Sequence, residues 1–498
     1  MSHPYYIEIA KLRHLPSQRV RYARMLSVLR RICLAESADF HSDFSTLFSR
    51  LYAVCLHLGI DYRVADRLRR HLRQVLHEGV QPDGAEEEAA VADLCHFVWQ
   101  VYGQPVPAGL PCEVRPVQPL RAKPVYEAVR ALVLAVLSPQ QMQAVCEGEE
   151  RVVEVGTNYL YAGAPVMLLD VGVQPDGTWR AAMVVLEPDF LIDVTSLTAC
   201  MKPYGHTPLN YLLRMLSPMV CTAPILLGQA ANQFMDDCIH TPPAELDWQA
   251  SMRRHFADYA LEYTCLPAEQ VGKDYFEQAR RHFEHIAQSV QERFPSPEVG
   301  IRLDEVILEP AFICPTLGLR GRLDVATQDF RHVLELKSGK ADEFHYGHPA
   351  PQHEHLMQMS LYGEMLCRNF HLEWHDIRQM LFYSRYPEFF NERPSAQAIA
   401  DAMEVRNGVM CLLHRLTTDE AADLLRQLTP EALNVNGMGG RFYHDYLLPQ
   451  IERVTQPLQQ GMADPLTAAY FTSFLSFVLR ELFCSKPTDN RPDSLPGS

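Results

Sequence analysis

Three side chains in the stretch GLRGRLDVATQDFRHVLELKSGK have the types and spacing that suit hydrolysis of a phosphodiester: Asp324, Glu335 and Lys337. That reaction needs a cation to neutralise the non-bridging oxygens, an attacking water, and a group that positions or deprotonates the water. Asp324 and Glu335 supply hard oxygen ligands of the kind that favour Mg²⁺ or Mn²⁺, and Mg²⁺ usually keeps several of its waters. Lys337 beside such an ion would orient the attacking water or stabilise charge on the phosphorane, with its own pKa depressed by the cation.

Strands must hold these groups. With a side-chain period of two, Arg320, Arg322 and Asp324 share one face of a strand, while Leu319, Leu323 and Val325 take the other. On a second strand Glu335 and Lys337 share a face with Val333, and Leu334 and Leu336 point to a core. Further on, HEHLMQMSLYGEMLC reads as a helix on which Gln358 and Tyr362, four apart, lie on one side and reach the same substrate strand.

Taken together, G-x-x-G-x-x-D (Gly318, Gly321, Asp324), E-x-K (Glu335, Lys337) and Q-x-x-x-Y (Gln358, Tyr362) resemble the RecB-like branch of the PD-(D/E)XK nucleases. The wording around them, LRGRLDV, VLELKSGK and EHLMQMSLY, is most similar to the nuclease half of the flap-processing DNA replication helicase–nuclease family, over roughly residues 185–390. The resemblance implies an α/β fold of the restriction-endonuclease type, a mixed sheet flanked by helices. It implies that Asp324, Glu335 and the backbone carbonyl of Leu336 bind Mg²⁺ or Mn²⁺, that Lys337 is catalytic, and that Gln358 and Tyr362 support the site and its DNA. Arg320 and Arg322 beside them would contact the substrate. The function implied is a metal-dependent deoxyribonuclease acting on single strands or DNA ends in replication, repair or recombination.

The chain departs from that pattern in three places. Where the family carries a His on an upstream helix, ILLGQAANQFMDD places Asn232, whose amide oxygen ligates a hard cation without imidazole's strength or basicity. Many relatives hold an iron–sulfur cluster, but the 13 cysteines here include no C-x-x-C pair, and Cys200 lacks partners at ligand spacing, so no cluster is expected. No G-x-x-x-x-G-K-[ST] loop occurs, although ADPLTAAYFTSFLSFVLRELFCSK looks like the segment leading into a helicase half. Asn232 and the missing motor motivate a second reading: a catalytically weak or inactive DNA-binding scaffold that works with a helicase on a separate chain.

A chain of 498 residues with 47% hydrophobic content is long enough for several packed domains. Its formal net charge of −16 argues against a protein that coats nucleic acid non-specifically, but not against an enzyme with a local basic channel. Arg320, Arg322, Lys337 and Lys340, with Arg253, Arg254, Arg280 and Arg281, are the candidates for one. The longest wholly apolar run, ALVLAVL at 131–137, is far shorter than a membrane span, and the N-terminus has no signal pattern, so a cytoplasmic protein with reduced thiols and no membrane partner is expected.

Along the chain, apolar residues recurring at three and four predict helices over 17–102, among them an arginine-rich stretch from Arg63 to Arg73 that would touch DNA or a partner. Pro105, Pro107, Pro111, Pro116 and Pro119 mark a linker. Alternating β-branched segments between 148 and 195 predict a small β-rich subdomain, 196–294 reads as mostly helical, and 298–313, with Glu309 inside it, would pair with 317–326 and 332–337 in one sheet. A further strand is expected at 377–384. The domain boundaries expected are 1–115 (helical), 116–200 (β-rich), 201–425 (nuclease), 426–486 (C-terminal helices) and 487–498 (disordered tail). His345, His348, His353 and His355 would line the DNA entrance, and His371 and His375 follow them; zinc is the alternative for the six, though no cysteine stands at ligand spacing.

Overall fold

The computed structural model describes residues 3–489 apart from 41–43, 45, 78–80, 115–124, 175, 219, 342, 346–347 and 392–395. The chain divides into two compact units, Met1–Lys123 and Pro124–Ser498.

The first unit is helical, as its periodicity requires: α1 (Pro4–Leu12), α2 (Gln18–Glu36), α3 (Leu47–Leu58), α4 (Arg63–His77) and α5 (Gly84–Tyr102). Reciprocal capping boxes start two of them, Thr46 with Ser49 at α3 and Asp83 with Glu86 at α5. Tyr22, Met25, Leu29, Leu51, Leu72 and Phe97 fill its core. The arginines of α4 are largely engaged within the unit: Arg63 pairs with Asp61 at 2.6 Å, Arg67 with the buried Asp93 at 2.6 Å, and Arg69 with Asp66 at 2.7 Å.

The second unit opens with a six-stranded sheet: β1 (Tyr126–Ser138), β2 (Gln141–Cys146), β3 (Glu149–Glu154), β4 (Pro165–Val173), β5 (Trp179–Arg180) and β6 (Met183–Leu186). It begins earlier than the strand pattern suggested, because the run ALVLAVL lies within β1. The β-rich part is no separate body. One hydrophobic core contains Val133 and Leu168 of this sheet, Leu361 and Tyr362 of the central part, and Leu425 and Leu479 near the C-terminus, so the lines expected near 200 and 425 fall inside a shared core.

Next come β7 (Ile192–Asp193), α6 (Ala223–His240), α7 (Lys273–Gln288), β8 (Val306–Leu308), β9 (Ala311–Cys314), β10 (Leu319–Arg322), β11 (Val325–Thr327), β12 (His332–Lys337), α8 (His353–Phe370), β13 (Arg378–Tyr383) and β14 (Glu388–Phe390). A five-stranded mixed sheet runs β8-β11-β12-β13-β14, with β12 and β13 parallel and the other neighbours antiparallel. The parallel pair needs a crossover, which α8 supplies. On β12, Val333 joins the core shared with α8, whereas Leu334 and Leu336 join a second core built on α6 and α7. Each such buried leucine contributes about 1.5–3 kcal/mol. The α/β layering expected from the sequence is therefore present.

The expected single hairpin is broken in two. Glu309 adopts a left-handed conformation (φ 49°) immediately before Pro310, which cannot donate to a ladder. As a result β8 pairs with β11 in the main sheet, while β9 and β10 leave it and form a small sheet with β7. Two bonds bridge the break: the Glu309 amide donates to the Asp324 carbonyl at 2.9 Å, and the Leu323 amide to the Pro310 carbonyl at 3.1 Å.

The chain ends in α9 (Ala396–Arg415), several short helices and α10 (Pro465–Asp489). Of the tail expected over 487–498, residues 487–489 belong to α10, and 490–498 lie outside the described residues. Over Pro465–Ser485, α10 is long and apolar enough to cross a membrane by length and mean hydropathy (1.2), contrary to the expectation drawn from uninterrupted apolar runs. Threonines and serines divide its apolar residues into short runs, which hid it. One face packs on the core through Ala468 and Leu479, with Ser476 donating to the Leu416 carbonyl at 2.7 Å, while Leu466, Tyr470, Phe474 and Phe477 are exposed.

Candidate functional site

The break in the hairpin frees Asp324 from both ladders. Its side chain turns to β12, where Oδ2 accepts the Leu336 amide at 2.7 Å. On β12, the Lys337 ammonium donates to Glu335 Oε1 at 2.8 Å and to Gln358 Oε1 at 2.9 Å, and Gln358 Nε2 donates to the same Glu335 oxygen at 2.7 Å. Tyr362, one turn along α8, donates its hydroxyl to the Arg322 carbonyl at 2.9 Å and lies 3.4 Å from Gln358 Nε2. Asp324, Glu335, Leu336, Lys337, Gln358 and Tyr362 thus meet around β12, the central strand of the sheet. Leu336 enters through its amide.

Gly321 matters because a Cβ there would lie 2.5 Å from Tyr362 Cε1. Gly321→Ala is expected to push Tyr362 off the Arg322 carbonyl and destabilise the protein by about 1–3 kcal/mol, read in urea unfolding. Unchanged stability would show that the ring has room to move.

Burial first, and then the Glu335 charge, raises the Asp324 carboxyl above the usual carboxylate range, although Lys337 and the Leu336 amide pull the other way. Burial lowers the Lys337 pKa, but Glu335 and Asp324 outweigh it, so the amine sits above its ordinary value. Glu335 is 4% exposed, and its Oε2 is buried without a hydrogen-bond partner among the described residues. Two crowded carboxylates, one with an orphaned oxygen, form a donor set that suits a small hard cation. Among the described residues no three His, Cys, Asp or Glu side chains converge as a metal cage, so backbone or amide oxygens and water would complete the shell.

Asn232 sits on α6 between Gly228, whose added Cβ would lie 3.3 Å from Ser338 Oγ, and Asp236, which feels Glu309 and Arg322. Positions four apart share a helix face, so Asn232 lies on the side turned to β11 and β12. Among the described residues no hydrogen bond links it to Asp324 or Glu335.

Arg320 is exposed, and Arg322 pairs with Glu309 at 3.0 Å, both side chains being well solvated. The wider basic channel is partly neutralised: Arg254 pairs with Asp237 at 2.6 Å and Arg280 with Glu284 at 2.9 Å. The Arg280–Glu284 pair is exposed, and pairs of that kind are weak and exchangeable, whereas Asp237 is buried.

His355 does not line an entrance. It is largely buried, its Nδ1 lies 2.6 Å from the Tyr383 hydroxyl, and burial, with Lys337 and Lys202 nearby, lowers its pKa to about 3. His353 stacks on His206 with centroids 5.3 Å apart. His345 and His348 lie in a short hairpin, their side chains outside the described residues.

Two acidic residues near the site were not among the sequence's site candidates, although Glu309 was placed on a strand. Glu309 is held against Asp324 by its amide, and Asp236 has its pKa raised to about 6, chiefly by burial and then by Glu309. Pro310 inside an otherwise strand-like segment was the available signal for Glu309. No family model and no curated protein matches the chain.

Proposed function

We propose that this chain is a divalent-cation-dependent nuclease that hydrolyses phosphodiester bonds in DNA, on single strands or ends, built on a PD-(D/E)XK type of core. The observation that carries the reading is the joint arrangement of Asp324, Glu335, Lys337 and Gln358, with a buried Glu335 oxygen that no described residue satisfies. Asp324 and Glu335, with the Leu336 carbonyl or Asn232 as further oxygen donors, would hold Mg²⁺ or Mn²⁺. Bound there, such an ion would supply charge neutralisation at the phosphate and a more acidic water. Lys337, held as an ammonium by its neighbours, stabilises negative charge on the phosphoryl oxygens and orients water. Gln358 fixes Glu335 and Lys337 at once, and Tyr362 ties α8 to the strand that carries Asp324.

Purified protein is expected to degrade single-stranded DNA with Mn²⁺ and not with chelator; intact DNA under every divalent ion would refute the assignment. A scaffold that binds DNA without cutting it, beside a separate helicase, is the second reading. The unlinked Asn232 favours it, and retained DNA affinity without cleavage would establish it.

A pH dependence follows from Asp324. Its folded pKa lies above the unfolded value, so ionising it destabilises the folded protein progressively as pH rises through and beyond the ordinary carboxylate range. A cation binds the ionised form and removes the penalty. The rise in melting temperature on adding Mn²⁺ is therefore expected to grow between about pH 6 and pH 9. A shift that shrinks with pH, or is absent, would contradict a cation held by Asp324.

A further inference from the structure

Immediately beyond Lys337, the chain enters the wall of a second feature. A cavity of about 590 Å³, in the size range of small-ligand sites, is lined by Ser338, Lys340, Lys273 and Arg385, with Glu269 and Asp274 as its acidic residues. Lys273 has only a 3.5 Å, solvent-screened contact with Glu277. Among the described residues neither Lys340 nor Arg385 has a carboxylate within ion-pair distance. In a chain of net charge −16, Lys340 and Arg385, with no ion-pair partner among the described residues, mark this concavity as a place for an external anion. Three residues of chain span at most about 10 Å, so Lys340 stands within reach of a phosphate adjoining one held at Lys337.

We propose that this cavity seats a phosphate of the same nucleic-acid strand, next to the scissile one, and that Lys340 and Arg385 thereby set which stretch of backbone is presented to Asp324, Glu335 and Lys337. The inference rests on the nuclease reading for the neighbouring site. Arg385 offers a planar fork to two phosphate oxygens, and Lys340 and Lys273 contribute point charges. Because such contacts go to backbone and not to bases, the cavity gives register without sequence preference.

Binding of a fluorescein-labelled single-stranded oligodeoxythymidylate is to be measured by anisotropy in EDTA across a salt series, so that no cleavage is required. Lys340→Ala/Arg385→Ala is expected to weaken binding by about tenfold and to reduce the salt slope by about one. Lys340→Glu, at an exposed position that does not endanger folding, is expected to weaken it further. Unchanged affinity and slope in both variants overturns the proposal, as does failure of the unsubstituted protein to bind. Cleavage by the unsubstituted protein, with binding indifferent to both variants, removes the cavity and leaves the nuclease reading intact. Cavity-dependent binding without cleavage under any divalent ion does the reverse.

Discussion

Lys337→Gln is expected to lower Mn²⁺-dependent cleavage of single-stranded DNA by about a hundredfold to a thousandfold, the usual effect of removing one preorganised group that meets developing charge. Glutamine preserves a hydrogen bond to Glu335 or Gln358 and removes the positive charge, so the loss would report electrostatics and not collapse of the cluster. Asp324→Asn and Asp324→Ala should be more severe, leaving no measurable cleavage, because they remove one of two carboxylates able to hold the cation. Asn can still accept the Leu336 amide, which Asp324 accepts at 2.7 Å, so the fold has reason to survive. Single-turnover cleavage and melting temperature, measured together, separate chemistry from stability. Activity equal to that of the parent in all three variants would reject these roles.

Arg406→Leu is expected to destabilise the protein by about 3–5 kcal/mol, the largest effect anticipated away from the candidate site. Arg406 is fully buried on α9, and its guanidinium donates to the carbonyls of Gly318, Leu186, Glu187 and Phe190. Leucine would leave these oxygens without donors in a closed interior, each lost bond adding to the penalty. Lysine cannot replace a fork that reaches several carbonyls, so Arg406→Lys should recover only part of the loss. The guanidinium also explains Gly318, where φ is +59° and an added Cβ would lie 2.1 Å from Arg406 Nη2. Since Gly318 opens the turn leading through β10 to Asp324, both variants should impair the site together with the fold. Urea unfolding tests this, and a change below about 1 kcal/mol would contradict it.

Much of the central layer was legible because β12 announces itself: Val333, Leu334 and Leu336 bracket two polar residues at strand spacing, and Gln358 with Tyr362 recurs at helical spacing. What alternation could not show was that both faces of β12 are covered, so that Glu335 is buried and not solvated at an edge. Nor could period two survive Glu309. The left-handed backbone there and Pro310 beside it sent β9 and β10 into a different sheet, and Asp324 was reoriented at the break. The site's electrostatics were illegible for a related reason. A raised Lys337 pKa comes from Glu335 on its own strand together with Asp324 from another segment, against the burial that the fold imposes, a sum that a linear pattern does not carry. α10 was missed because its apolar residues are interleaved with threonine and serine, which matters little to a helix with one face on a core.

Sandwiching β12 between two apolar cores has an evolutionary consequence. Sliding this strand by one residue would exchange Glu335 and Lys337 with Leu334 and Leu336, so the lock on its registration is held by the leucines and valine and not by the polar pair. Reactive groups can then be altered one at a time without unthreading the scaffold. A single substitution at Glu335 or Lys337 therefore changes the polar pair while the apolar residues keep the strand in place.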